Sequence, residues 1–204
     1  MAPVQRAIVR DCDGCTLCCK LFGVKAIDKP AGVWCQHCTV GRGCTIYENR
    51  PTECAEFVCG YLVLPGLGPE WKPAVSHLMI SSEGYQGRLN IHVDPSRPDA
   101  WRKQPYYAWI KEWSRKVTAE RGQVVILIGK RAIVILPGHD VDLGAIAPDE
   151  LIVTSLVQQN GKPEWEAYAV KMEDETGRQI HEAGGKPIRI DMSRTETFRR
   201  GRRL

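Results

Sequence analysis

All nine cysteines of this 204-residue chain lie between residues 12 and 59, and none follows. The run opens CDGCTLCC with Cys12, Cys15, Cys18 and Cys19, continues WCQHC with Cys35 and Cys38, and ends with Cys44, Cys54 and Cys59. A CxxC pair suits a metal because two intervening residues let the chain turn, so that both thiolates meet one ion while backbone amides point back at the sulfurs. Cys12/Cys15 and Cys35/Cys38 together supply four thiolates, enough for one tetrahedral site. Cys18, Cys19, Cys44, Cys54 and Cys59 then remain for a second site or a polynuclear cluster. Adjacent Cys18 and Cys19 diverge in most backbone conformations and are expected to serve different metals, or one a metal and one the core. More than one metal atom is therefore expected.

Thiolates are soft ligands that accept zinc, iron or iron-sulfur clusters alike. Iron is slightly favoured, as an iron-sulfur centre, because the thiols exceed what one zinc uses. Neither bacterial nor plant-type ferredoxin spacing is matched. His37, inside CQHC, is an additional candidate ligand. A disulfide framework or inert packed thiols are the alternatives, and an odd count without a secretory signal argues against the first.

CDGCTLCC followed by GCTIYENRPTEC resembles the signature of the YkgJ-like cysteine-cluster family, a zinc- or iron-chelating domain related to the cysteine domain of flagellin lysine-N-methylases. The resemblance covers about 50 residues, a quarter of the chain. It implies that Cys12, Cys15, Cys18, Cys19, Cys44 and Cys54 fall on metal-binding positions and that Cys35 or Cys38 is the family's single intermediate cysteine. It also places Arg50 in the RP element, where a guanidinium would offset thiolate charge or bind an anion. Two departures stand out: Ala55 takes the place of the usual Arg after Cys54, and Cys59 is extra. Cys59 is accordingly expected to matter less than Cys15 or Cys44.

A segment this small cannot bury a large apolar core and needs staples. The expected architecture is α+β: a small cysteine-rich, metal-stapled N-terminal module over 1–64, a mainly antiparallel α+β domain over 74–192 and a basic C-terminal tail over 193–204. PGLGPEWKP at 65–73 reads as the linker. No apolar run is long enough to span a bilayer, and the first residues lack a signal peptide's apolar region and cleavage site. A cytoplasmic protein without membrane contact is expected, where thiols stay reduced. Residues 194–204 carry five Arg and one Glu, which accounts for the whole net charge of +4. A solvated end is the default there; with no basic patch interleaved with aromatics, nucleic acid is disfavoured as a partner, while a protein partner stays open.

Before the linker, Ala7–Val9 suggests a strand, 20–34 an irregular connection that leaves Trp34 beside the metal, and Arg50-Pro51 a break ahead of a helix carrying Cys54. After it, SHLMISSE and RLNIHVD alternate as a hairpin whose second face carries His77, Met79, Asn90 and His92, outside the core. DPSRPDAW leads into a helix over 105–118, with Tyr106, Trp109, Ile110, Trp113 and Val117 as its apolar core stripe, or alternatively an aromatic platform. Asp94, Arg97 and Asp99 are candidates to line a pocket, although turn chemistry alone explains Asp and Pro there. VVILIGKRAIVILP predicts a hairpin about a Gly129-Lys130 type II′ turn, buried on both faces. Further strands are expected over 141–146, 151–158 and 164–172, with a capped helical turn at 149–151. No nucleotide, hydrolase or zincin motif occurs. The leading expectation is a metal-binding protein. The alternatives are a metal-dependent enzyme such as a protein lysine N-methyltransferase, which only the resemblance supports, and an interaction module using the Arg-rich tail.

Overall fold

The structure, a computed structural model, describes residues 10–82, 87–159, 161–182 and 198–204. The expected strand at Ala7–Val9 lies outside them. The chain forms two compact units that divide between Ile80 and Ser81, not at the expected linker. Leu67 and Trp71 are 4% and 1% exposed, so 65–73 is packed chain, with a 3-10 turn at Pro69–Trp71.

The first unit is built from short pieces, as expected of a chain interrupted by Gly and Pro. Helix α1 spans Leu17–Leu21, β1 Cys38–Thr39 and β2 Gly43–Cys44. Three more helices follow: α2 at Thr52–Glu56, α3 at Gly60–Val63 and α4 at Pro73–Ser76. Arg50 is extended ahead of Pro51 and α2 begins directly after it, because a residue before proline avoids the helical region. Within residues 20–34 the chain folds back through a 3-10 turn at Lys25–Ile27 and a bridge from Val24 to Lys29.

Strand β3 (Leu78–Ser81) carries the chain across the division, followed by β4 (Arg88–Val93) and α5 (Tyr106–Ala119). Then come β5 (Gln123–Ile128), β6 (Arg131–Ile135), β7 (Asp140–Ala145), β8 (Glu150–Gln159) and β9 (Lys162–Lys171). The last elements are α6 (Glu175–Glu182), β10 (Phe198–Arg200) and β11 (Arg202–Arg203). A six-stranded sheet has the order β11-β7-β6-β5-β4-β3 and a three-stranded one β10-β9-β8. The described pairings are antiparallel except β4 with β5, which are parallel and joined through α5. The fold is α+β, as expected.

The β5–β6 hairpin turns at Gly129, whose φ of 58° is the one a type II′ turn demands of its first central residue. Val124, Val125 and Ile126 are all fully buried, which bears out burial on both faces. One face, with Val125, Val134 and Leu143, packs on Ile152 and Ala167 of the three-stranded sheet. The other is covered by α5, where Ser114 Oγ donates to the Ile135 carbonyl at 2.6 Å.

Three details depart from expectation. Helix α5 buries Ile110, Ser114 and Thr118, while Trp109 is 40% exposed and meets Trp113 edge to face. The polar Ser114 and Thr118 fit because small side chains let the helix approach the sheet. The second face of β3 and β4 is not solvated: Met79 and Asn90 are buried. Asp149 lies in a turn closed by Glu150 N donating to Ala147 O, and Glu150 and Leu151 open β8, so no helical turn forms at 149–151. Asp94 does cap a turn, accepting from the backbone and hydroxyl of Ser96. Among the described residues no helix is long and apolar enough to cross a membrane.

Candidate metal centre

Both CxxC pairs are tight turns. Cys15 N donates to Cys12 O at 2.5 Å and Cys38 N to Cys35 O at 3.0 Å. The first turn needs Gly14, which has a φ of 64° and sits so close to Gly41 that a Cβ would lie 2.9 Å from its carbonyl oxygen. Gly41 N also donates to Thr16 Oγ1. These contacts fix the first cysteine turn against the loop joining β1 and β2. Cys18 and Cys19 ride on α1, Cys19 O accepts from Cys35 N at 3.1 Å, and Cys38 stands opposite Cys44 in the β1–β2 pair. Cys54 lies in α2, and Cys59 precedes the first residue of α3. Gly60 allows α3 to lie against Ile80, whose Cβ would be 2.9 Å from a Cβ at Gly60.

Five stretches of sequence thus bring their cysteines into two adjoining groups. Cys12, Cys15, Cys18 and Cys59 line one cavity, walled by Tyr61 and Met79. Cys19, Cys35, Cys38 and Cys44 are joined by the contacts above, and Cys54 in α2 feels the charge of Cys18, Cys35 and Cys44, so that these five make up the other group with Cys18 bordering both. The two CxxC pairs therefore go to different groups, not to one site. Cys18 and Cys19 do not simply diverge: the Cys19 thiol is hydrogen-bonded to Cys18 on one side and Cys38 on the other. As they stand, no three His, Cys, Asp or Glu side chains among the described residues are drawn together tightly enough to hold a metal ion.

The electrostatics follow from this crowding. The hydrogen bond from Cys19 lowers Cys18 to about 7, against an opposing effect of burial. Donating that bond, together with burial, pushes Cys19 strongly upward. Burial first, then neighbouring thiols, raises Cys12 and Cys54, and burial raises Cys38 against hydrogen bonds from Cys19 and Thr16. Burial pushes Cys59 to about 11. Apart from Cys18, each of these groups resists becoming an uncompensated thiolate.

Lys29 is a residue the sequence did not single out. It is 7% exposed, and its Nζ donates to the carbonyls of Lys20 and Phe22 at the end of α1. Burial lowers its pKa, while nearby Cys35, Cys19 and Cys54 oppose that fall. Asp28 before it adopts the left-handed region and Lys29 pairs with Val24 in a bridge, an arrangement that no sequence pattern marked in advance.

Other expected participants lie differently. Arg50 donates to Tyr47 O at 2.7 Å and stacks over the Tyr47 ring. The His37 ring lies 3.4 Å from Gln36 Nε2, and its carbonyl accepts from Thr45. Trp34 is 38% exposed, beneath the Lys20 ammonium.

Comparison with protein-family models, with curated proteins and with solved structures finds no match. The resemblance to the YkgJ-like family therefore stands on the cysteine spacing alone.

Proposed function

We propose that the first unit is a metal-thiolate module, with a zinc or iron centre held by Cys12, Cys15, Cys18, Cys19, Cys35, Cys38, Cys44, Cys54 and Cys59. The observation that carries this reading is the gathering of every cysteine in the chain, from five separate stretches, into two adjoining groups. The donor set fits in chemistry: soft sulfurs, partly buried, backed by backbone amides and by one thiol already acidic enough to ionise near neutrality. Because the thiols line a cavity and do not close on a point, binding has to draw them inward.

A metal ion supplies positive charge that replaces the thiol protons. Burial and crowding penalise a bare thiolate at Cys12, Cys54 and Cys59; a bound cation removes that penalty and releases protons, so affinity rises with pH. Lys29 adds a fixed charge beside Cys35, Cys19 and Cys54. Iron, as an iron-sulfur centre, is favoured over zinc because nine thiols exceed the four of one tetrahedral ion. A reducing, cytoplasmic setting fits thiols that must stay free.

The decisive experiment measures metal and acid-labile sulfide in protein purified without oxygen, with its absorption spectrum. Iron with sulfide and a broad visible band is the expected result; colourless stoichiometric zinc keeps the module and changes its metal. Cys15→Ser and Cys44→Ser should each lower bound metal and destabilise the first unit. Wild-type protein purified without metal, and unable to take up iron or zinc, would overturn the reading.

A further inference from the structure

We infer that the nine thiols serve two separate centres, one held by Cys12, Cys15, Cys18 and Cys59 and the other by Cys19, Cys35, Cys38, Cys44 and Cys54. This division rests on the metal-thiolate reading above. It assigns Cys59, which the sequence ranks last, as a full ligand of the first centre for a soft, thiophilic metal.

The cavity supplies the geometry. Four of its lining residues are the cysteines of a CxxC turn, of α1 and of the position just before α3. Asp11 also lines the cavity, from an exposed position, and the rest of the wall is apolar, with Tyr61 and Met79 8% and 1% exposed. Four soft donors around one space match what a thiolate centre requires. The Met79 thioether on the same wall is itself a soft group. What places Cys59 at the cavity is Gly60, since any larger residue would push α3 away from Ile80.

The second group is held together by different elements. Cys19 turns to Cys38, its carbonyl binds Cys35 N, and Cys38 faces Cys44 across a strand pair. The fixed charges are distributed unevenly: Lys29 acts on Cys35, Cys19 and Cys54 and also on Cys18 at the seam, whereas Lys72 acts on Cys12. Cys18 and Cys19 are the seam, adjacent in α1 with one thiol lining the cavity and the other reaching the strand pair.

The test is residue-resolved alkylation of the metal-loaded full chain, read by mass spectrometry, with and without a chelator. In wild-type protein Cys12, Cys15, Cys59, Cys35, Cys38 and Cys54 should all be protected until the chelator is added. Cys44→Ser should lose protection at Cys35, Cys38 and Cys54 only. Cys59→Ser should lose it at Cys12 and Cys15 only, and Cys12→Ser, at an exposed position, should lose it at Cys15 and Cys59 only. Loss of protection at all sites in any single folded variant would overturn the division while leaving metal binding intact, as would full protection of Cys12 and Cys15 in Cys59→Ser. Wild-type thiols that label equally with and without chelator would overturn the underlying reading instead.

Discussion

His92 shows how burial acts on a single titratable side chain. It sits on β4 with Nε2 2.9 Å from Ser81 Oγ, and burial lowers its pKa to about 4. The unfolded chain, with an ordinary histidine, binds the proton more readily, so stability is full above pH ~6.5 and falls as pH drops toward the folded value. The loss across that window is roughly 3 kcal/mol. Urea unfolding at pH 7 and pH 4.5 should show it, and His92→Asn should flatten the difference; an equal pH dependence in both proteins would refute the assignment. The sequence placed His92 outside the core because period two put it opposite Ile91, and one strand's pattern cannot reveal that its second face is also covered. Lys29 was invisible for a similar reason. Its burial depends on the bridge from Val24 to Lys29, which no local periodicity encodes. The clustering of the cysteines, by contrast, was legible from number and spacing, though which of them share the cavity was not, since that is set by which turns pack together.

At the scale of elements, the C-terminal strands differ most from a solvated tail. Strand β10 pairs with β9 in the three-stranded sheet and β11 with β7 in the six-stranded one, so a seven-residue segment clasps the two sheets of the second unit. Its arginines meet acids far back in sequence. Arg199 reaches Glu150 at 3.0 Å, Arg203 reaches Glu164 at 2.7 Å, and both Arg200 and Arg203 bind the fully buried Glu166. Burial alone would raise the Glu166 carboxyl; the hydrogen bonds from Arg203 and Arg200 outweigh it and hold the group below its usual range. A buried carboxylate is costly without such partners. Glu166→Gln should therefore destabilise the second unit by about 2 kcal/mol, below the largest buried-pair effects because both arginines remain half-exposed and can rehydrate. Chemical denaturation checks this, and an unchanged midpoint would show the clasp to be idle. The strands β5 to β9 and helix α5 were readable from alternation and turn residues. The clasp was not, because its arginine-rich sequence reads as solvated until the distant carboxylates are in place. The aromatic stripe of α5 misled for another reason: small Ser114 and Thr118, not bulky Trp109, allow the close approach to β6.

At the scale of the whole molecule, the two units differ in what holds them together. Leu17, Val24, Cys59 and Tyr61 are the buried hydrophobics among the described residues 10–64, the cysteine region of the first unit, whose other buried hydrophobics, Leu67, Trp71, Leu78, Met79 and Ile80, all follow it; the second unit buries Val124, Val125, Ile126, Ile133, Val134 and Ile135 in two adjacent strands alone. Four buried apolar side chains do not offset the backbone entropy of ordering the cysteine region, a deficit of the kind that metals or disulfides make good in small domains. No disulfide joins the cysteines; on the metal-thiolate reading proposed above, a bound metal would stabilise the folded form over the unfolded one by mass action. Removing the metal should then act on one unit and spare the other. Hydrogen exchange of the full chain before and after chelation should lose protection in α1 and in the β1–β2 pair, where amides such as Cys35 N and Cys38 N are bonded only within the cysteine region. Protection in β5, β6 and β7 should persist, because those strands rest on an apolar core that contains no cysteine. Equal protection of the cysteine region with and without metal would mean that the thiols bind metal, if at all, without carrying the fold of the first unit. Loss of protection across both units would mean that the second depends on the first for its stability, which its own core gives no reason to expect.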